Sequence, residues 1–118
     1  NAYNYWNMSL LSGGRSRWGW HQNSLVVVDA DAKTFKYSHE YYLLKHVSNT
    51  VAPGARYIPT VGWAGFENQI VFQNPDGSLV VVIQNDLNVA QTVKILLGDL
   101  LLKPTLPADS FSTFVIPA

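Results

Sequence analysis

The 118-residue sequence predicts a mainly β protein: an antiparallel β-sandwich of about six strands from residue 55 onward, preceded by a strand, loop, strand and helix. Three observations predict it. Turn residues interrupt the second half at intervals of about eight to twelve residues, the spacing of a sandwich. Apolar, β-branched runs at 24–29 and 79–83 have the composition of covered strands. Only the stretch that follows Ser38 places its apolar residues at helical spacing. With 47% hydrophobic residues, one domain's length of chain has material for a real core.

Residues 2–11 mix Tyr3, Tyr5, Trp6, Met8, Leu10 and Leu11, which favours a half-buried strand, and Ser12-Gly13-Gly14 breaks it. The run at 24–29 reads as a strand covered on both faces. Residues 29–34 form a polar turn and 35–37 a short extended segment. Ser38 then caps a helix. Glu40 stands in its first turn, Lys45 and His46 near its last, and Tyr41, Leu43, Leu44 and Val47 make the apolar face. Pro53-Gly54 closes it.

Strands follow at 56–63, with Pro59 marking an edge or bulge, and at 68–73 and 78–84 around the turn Asn74-Pro75-Asp76-Gly77. Residues 79–83 should form a central strand. Three more strands are expected at 90–97, 100–106 and 110–116. The organisation therefore divides near residue 53, into residues 1–52 and 53–118.

Eight Lys plus Arg balance eight Asp plus Glu, so no global field recruits nucleic acid or an anionic membrane. The absence of cysteine removes disulfides and thiolate chemistry. No apolar run approaches the roughly 20 residues of a membrane helix. No leader is visible, and an opening within an aromatic, strand-like pattern suggests a piece of a longer protein.

Three of the four tryptophans, Trp6, Trp18 and Trp20, lie in or beside the glycine-punctuated stretch 13–20. Aromatic rings on such a loop can stack on sugar faces while Asn7, His21 and Gln22 bond hydroxyls, which makes carbohydrate the first ligand class to test. The other reading is packing alone, with Trp6 in the core and Trp18 and Trp20 covering the loop. Glycoside hydrolysis needs two carboxyl groups flanking the scissile bond. The two glutamates already have local roles, Glu40 in a helix first turn and Glu67 opening a strand, so no catalytic pair is read from them. His21, His39 and His46 lack metal-ligand spacing, and no metal or cofactor is expected.

The order of motifs resembles the C-terminal segment of glycoside hydrolase family 30, which includes glucosylceramidases and related bacterial β-glycosidases. The resemblance is carried by Ala2-Tyr3-Asn4-Tyr5-Trp6-Asn7-Met8-Ser9-Leu10, Gly13-Gly14, Trp18 and the run 24–29. It continues through Tyr41-Tyr42-Leu43-Leu44-Lys45-His46-Val47-Ser48, Val51-Ala52-Pro53-Gly54-Ala55-Arg56 and Asn74-Pro75-Asp76-Gly77-Ser78-Leu79-Val80-Val81-Val82. It ends with Leu106-Pro107-Ala108-Asp109-Ser110-Phe111-Ser112-Thr113-Phe114.

The resemblance implies that residues 1–52 are the last strand, loop and helix of a (β/α)8 barrel that carries retaining chemistry, and that residues 53–118 are a sandwich packed on it. It implies that Trp6 lines the sugar subsite, with Asn7 beside it, Trp18 in the following loop, and Trp20 and His21 next to that. The two catalytic glutamates would lie on earlier barrel strands, so this chain alone is expected to bind sugar weakly and not to hydrolyse it. The implied partners are a β-linked carbohydrate or glycolipid and the barrel portion of the same parent protein, and the implied location is secreted or extracytoplasmic. Glucosylceramide, β-1,6-glucan and other β-linked sugars are all open as substrates. A stand-alone carbohydrate-binding sandwich and a purely structural brace are the competing readings. Cut from its barrel, the first segment is expected to self-associate.

Overall fold

In the computed structural model, which describes residues 3–62 and 68–118, the chain falls into two compact units, Asn1–Lys45 and His46–Ala118. The first unit holds a three-stranded sheet in the order β1 (Ser9–Leu11), β2 (Val26–Asp29), β3 (Thr34–Tyr37). Strands β1 and β2 are parallel, with Leu10 opposite Val27, and β2 and β3 form an antiparallel hairpin. Asp29 shapes that hairpin. Its Oδ1 accepts from the backbone N–H groups of Asp31 at 3.1 Å and Ala32 at 2.9 Å, the usual reason for Asp at a turn.

Helix α1 (His39–Ser48) begins where expected. The Ser38 hydroxyl accepts from the Tyr41 N–H at 3.4 Å, and Glu40 lies in the first turn, where the helix dipole favours a negative charge. Its last turn belongs to the second unit. Beyond it, Pro53 and Gly54 make a turn in which the Ala55 N–H bonds the Ala52 carbonyl at 3.0 Å and Gly54 takes a φ of 86°.

The second unit is antiparallel throughout its described strands. Its main sheet runs β11 (Ser110–Ile116), β6 (Leu79–Asn85), β5 (Gln69–Gln73), β4 (Arg56–Ile58). Strand β6 is central, as its composition predicts, and Val80, Val81, Val82 and Ile83 are all buried in succession. Each such side chain contributes about 1.5–3 kcal/mol relative to exposure. The β5–β6 register is set by the turn at 74–78, where Asn74 N–H bonds the Ser78 carbonyl and Gly77 N–H bonds the Asn74 carbonyl, both at 2.9 Å. Asn85 ends the strand. Its amide donates to the carbonyls of Val89 at 2.9 Å and Pro107 at 2.7 Å, so a buried polar group is satisfied.

Four expectations change in detail. Of residues 2–11 only Ser9–Leu11 forms a strand; Asn7 and Met8 merely extend the pairing by accepting from Leu25 and Val26, and Trp6 and Met8 face outward. Trp6 is therefore no core residue. Strand β2 is not covered on both faces, since Val26, Val27 and Val28 are half-buried. The strand expected at 56–63 stops at Ile58, before Pro59, which has no N–H to donate; its last residue, Trp63, and Glu67 lie outside the described residues.

The fourth change concerns 90–97 and 100–106, which appear as four pieces: β7 (Gln91–Thr92), β8 (Ile95–Leu97), β9 (Leu100–Leu102) and β10 (Thr105–Leu106). Strand β8 pairs with β9 and β7 with β10 in one continuous register, so these are a single hairpin about Gly98-Asp99. It is interrupted opposite Val93, where Pro104 accepts a bond at 3.0 Å but has none to return.

Candidate functional site

The loop between β1 and β2 closes on itself. Arg15 and His21 face each other in an antiparallel bridge, the Ser16 N–H bonds the Trp20 carbonyl at 2.9 Å, and the Gly19 N–H returns to the Ser16 carbonyl at 2.9 Å. Ser16 organises the tip further, because its hydroxyl oxygen accepts from the N–H groups of both Trp18 and Trp20 at 3.2 Å. The Arg15 guanidinium donates to the Gly19 carbonyl at 2.8 Å. Gly19 has a φ of 82°, a conformation costly for any residue with a Cβ. At the base, Gly14 lies so close to β1 that a Cβ there would sit 2.9 Å from the Cβ of Leu10.

This scaffold presents Trp18 and Trp20 side by side. Their ring centres are 5.8 Å apart with planes tilted by 34°, and they are 70% and 68% exposed. The Arg17 guanidinium lies over the Trp18 ring, 5.7 Å from its centre, a cation–π distance. Two exposed indoles on a backbone-fixed loop form a tilted apolar surface, and an indole face is the kind of surface on which a sugar ring stacks.

The other predicted site residues are placed differently. Trp6 is 86% exposed and, among the described residues, stacks on no other ring. Asn7 is fixed, its Nδ2 donating to the Asn23 carbonyl at 3.1 Å. His21 lines a cavity of about 250 Å3 with Gln22, Asn23, Ser38 and Glu40. The sequence therefore placed Trp18, Trp20 and His21 on one loop correctly but gave no sign of how Asn7 is held. It also missed that Ser16 accepts from both tryptophan N–H groups and that Asn23 bonds Glu40; a serine two and four positions before the tryptophans was the available signal for the first.

Glu40 is half-buried, and its Oε1 accepts from Asn23 Nδ2 at 3.1 Å. Its own backbone N–H and the Ser38 hydroxyl, with smaller contributions from His39 and Asn23, hold its carboxyl below the usual range. Burial first, and then the Glu40 charge, push the Tyr5 phenol up. A carboxyl held ionised suits a hydrogen-bond acceptor better than a general acid. Among the described residues no group of three or more His, Cys, Asp or Glu side chains could hold a metal ion.

A larger cavity of about 1160 Å3 lies in the second unit and is lined mainly by apolar groups such as Ile58, Val71, Val81, Ile83, Ile95 and Leu97. Its described polar lining is Thr60, Gln69, Thr92 and Lys94.

Residues 67–114 match the glycosyl hydrolase family 30 beta sandwich domain. The chain also matches the crystal structure of SrfJ from Salmonella typhimurium, with 29% identity and a TM-score of 0.88 over 96% of this chain. It matches the endo-beta1,6-glucanase BT3312 with 26% identity and a TM-score of 0.80, again over 96%. The chain spans 26% of the length of each of these proteins. Strand order, hairpin and sequence match agree: the second half of the chain is similar to the glycosyl hydrolase family 30 beta sandwich domain.

Proposed function

We propose that the chain is the C-terminal segment of a retaining β-glycosidase, with residues 1–52 completing a (β/α)8 barrel and residues 53–118 bracing it. In this reading the loop at 13–21 and Trp6 form an aromatic wall of the sugar site, with Asn7 and His21 as polar neighbours, and the catalytic glutamates belong to the rest of the parent protein. The observation that carries it is the exposed Trp18–Trp20 pair on a backbone-fixed hairpin, in a chain that matches glycosidase structures. The incomplete cover of β2 supports the barrel assignment, because a parallel barrel strand is normally buried on both faces. Between Trp6 and the loop, a β-linked glucan has apolar faces to stack on and hydroxyls to bond.

The test uses the intact protein with β-1,6-linked glucooligosaccharides, and glucosylceramide as the glycolipid comparison. Hydrolysis with retained anomeric configuration, followed by NMR, is the expected outcome. Trp18→Ala and Trp20→Ala should each raise KM by about tenfold, the scale of one lost stacking contact. Inverted product, or unchanged kinetics in both variants, would overturn the reading.

A further inference from the structure

We propose that Glu40 is a positioning residue for the aromatic loop: through Asn23 it fixes the point where the returning arm of the loop meets the segment that carries Trp6. This rests on the reading of that loop as a wall of the sugar site. Glu40 has an ordinary reason to stand where it does, since a first-turn carboxylate favours the helix dipole. That reason does not account for its partner. Asn23 comes 17 positions earlier, immediately after the loop's last internal bond, from the Gln22 N–H to the Gly14 carbonyl at 3.3 Å.

Both ends of Asn23 are engaged. Its side-chain amide donates to Glu40 Oε1 at 3.1 Å, and its backbone carbonyl accepts from Asn7 Nδ2 at 3.1 Å. Asn7, Asn23 and Glu40 thus form a relay from the Trp6 segment, across the end of the loop, to the start of α1. Two neighbouring bonds run alongside it: Leu25 N–H to the Asn7 carbonyl at 3.2 Å and Ser38 N–H to the Leu25 carbonyl at 2.9 Å. The influence of the Glu40 charge on Tyr5, the residue before Trp6, brings the same segment to this corner independently of the hydrogen bonds. The Glu40 bond is charge-assisted, which makes it the strongest single link in the relay. A looser relay would leave the indole pair intact on its hairpin and let it drift relative to Trp6, and a site wall an ångström out of place binds poorly.

The experiment is a double-mutant cycle in the intact protein, with Glu40→Ala, Asn23→Ala and their combination, read by hydrogen exchange of the peptide covering residues 12–25. Each single variant should speed exchange of that peptide about tenfold, the scale of one charged hydrogen bond. The double variant should be no faster than either single one, and Glu40→Gln, which keeps an acceptor oxygen, should recover most of the protection. KM for the glucooligosaccharide should rise with kcat nearly unchanged. Additive effects, or a lower melting temperature with loop exchange unchanged, would assign Glu40 to helix capping alone and overturn the proposal. Should Glu40→Ala not fold, Asn23→Ala and Glu40→Gln decide it: unprotected exchange in the first and protection in the second uphold the proposal, and equal exchange sinks it. Exchange that responds as expected in a protein that binds no sugar would instead reject the sugar-site reading and leave the positioning role standing.

Discussion

Asn74 Nδ2 donates to the carbonyl oxygen of Thr50 at 3.0 Å, while Asn74 Oδ1 accepts from the Ala52 N–H at 2.9 Å. One amide in a hairpin turn therefore fastens the chain that leaves helix α1. A third bond, to the Ser78 hydroxyl at 3.1 Å, ties it to its own turn. Asn74→Ala should lower stability by about 1–3 kcal/mol, because it leaves a backbone donor and acceptor without partners. Urea unfolding with an unchanged m-value checks this; a loss below about 0.5 kcal/mol, the surface-substitution range, would mean that water replaces the amide.

Acid sensitivity should follow Asp76. Ser78 donates to its Oδ1 twice, from the backbone N–H at 2.9 Å and from the hydroxyl at 2.7 Å, and these bonds hold the carboxyl below the usual range. The folded value lies under the unfolded one, so the contribution is present above the ordinary aspartate range and is lost as pH falls through the lowered value. Asp76 should titrate by NMR below the ordinary aspartate range. Asp76→Asn should flatten stability against pH in that acidic window, and a variant as acid-sensitive as the wild type would contradict this.

Two leucines of the same hairpin should behave oppositely. Leu106 is 1% exposed and Leu96 is 70% exposed. Leu106→Ala should cost about 2–5 kcal/mol through lost burial and the cavity left behind, whereas Leu96→Ala should stay within about 0.5 kcal/mol. Thermal unfolding of both variants separates them, and equal losses would place the second unit's core elsewhere.

At the loop, two glycines separate two causes. A Cβ at Gly14 meets Leu10, a collision with the base of a neighbouring side chain that cannot simply rotate away, while a Cβ at Gly19 meets nothing within 4 Å but must adopt a φ of 82°. Gly14→Ala should shift β1 against the loop and cost about 1–3 kcal/mol. Gly19→Ala should cost about 1–2 kcal/mol from backbone conformation alone and leave β1 unmoved. Amide chemical shifts of Ser9 to Leu11 distinguish the two; movement in both variants would refute the separation.

The isolated 118-residue chain should self-associate. Strand β1 is one of the two outer strands of its sheet, and Trp6, Met8 and Leu11 beside or within it are exposed. Light scattering should show mass rising with concentration, and a monodisperse monomer at all concentrations would exclude it.

Local chemistry made much of the second unit legible. Asn74-Pro75-Asp76-Gly77 named its turn, and Leu79 to Ile83 named the central strand, because each feature depends on neighbours in sequence. Ser38 as the helix cap is the same kind of signal. The divided hairpin at 91–106 was less legible: its strands and turn are local, but the gap depends on Pro104 lying across from Val93, a pairing that only the register decides. The aromatic loop was half legible. Gly13 and Gly14 announced the break and the tryptophans its surface, yet the closure of the tip on Ser16 has no signature beyond a serine near a turn. The link from Asn23 to Glu40 spans separate elements and could not be seen at all from spacing.

The closed tip from Arg15 to His21 has an evolutionary consequence. Its bonds use the Arg15 and Ser16 side chains and otherwise backbone groups, that of Trp18 included, so the side chains at 17 and 18 can change without altering the β1–β2 register. Side chains there can be exchanged for others of different ring or charge while the frame beneath stays as it is.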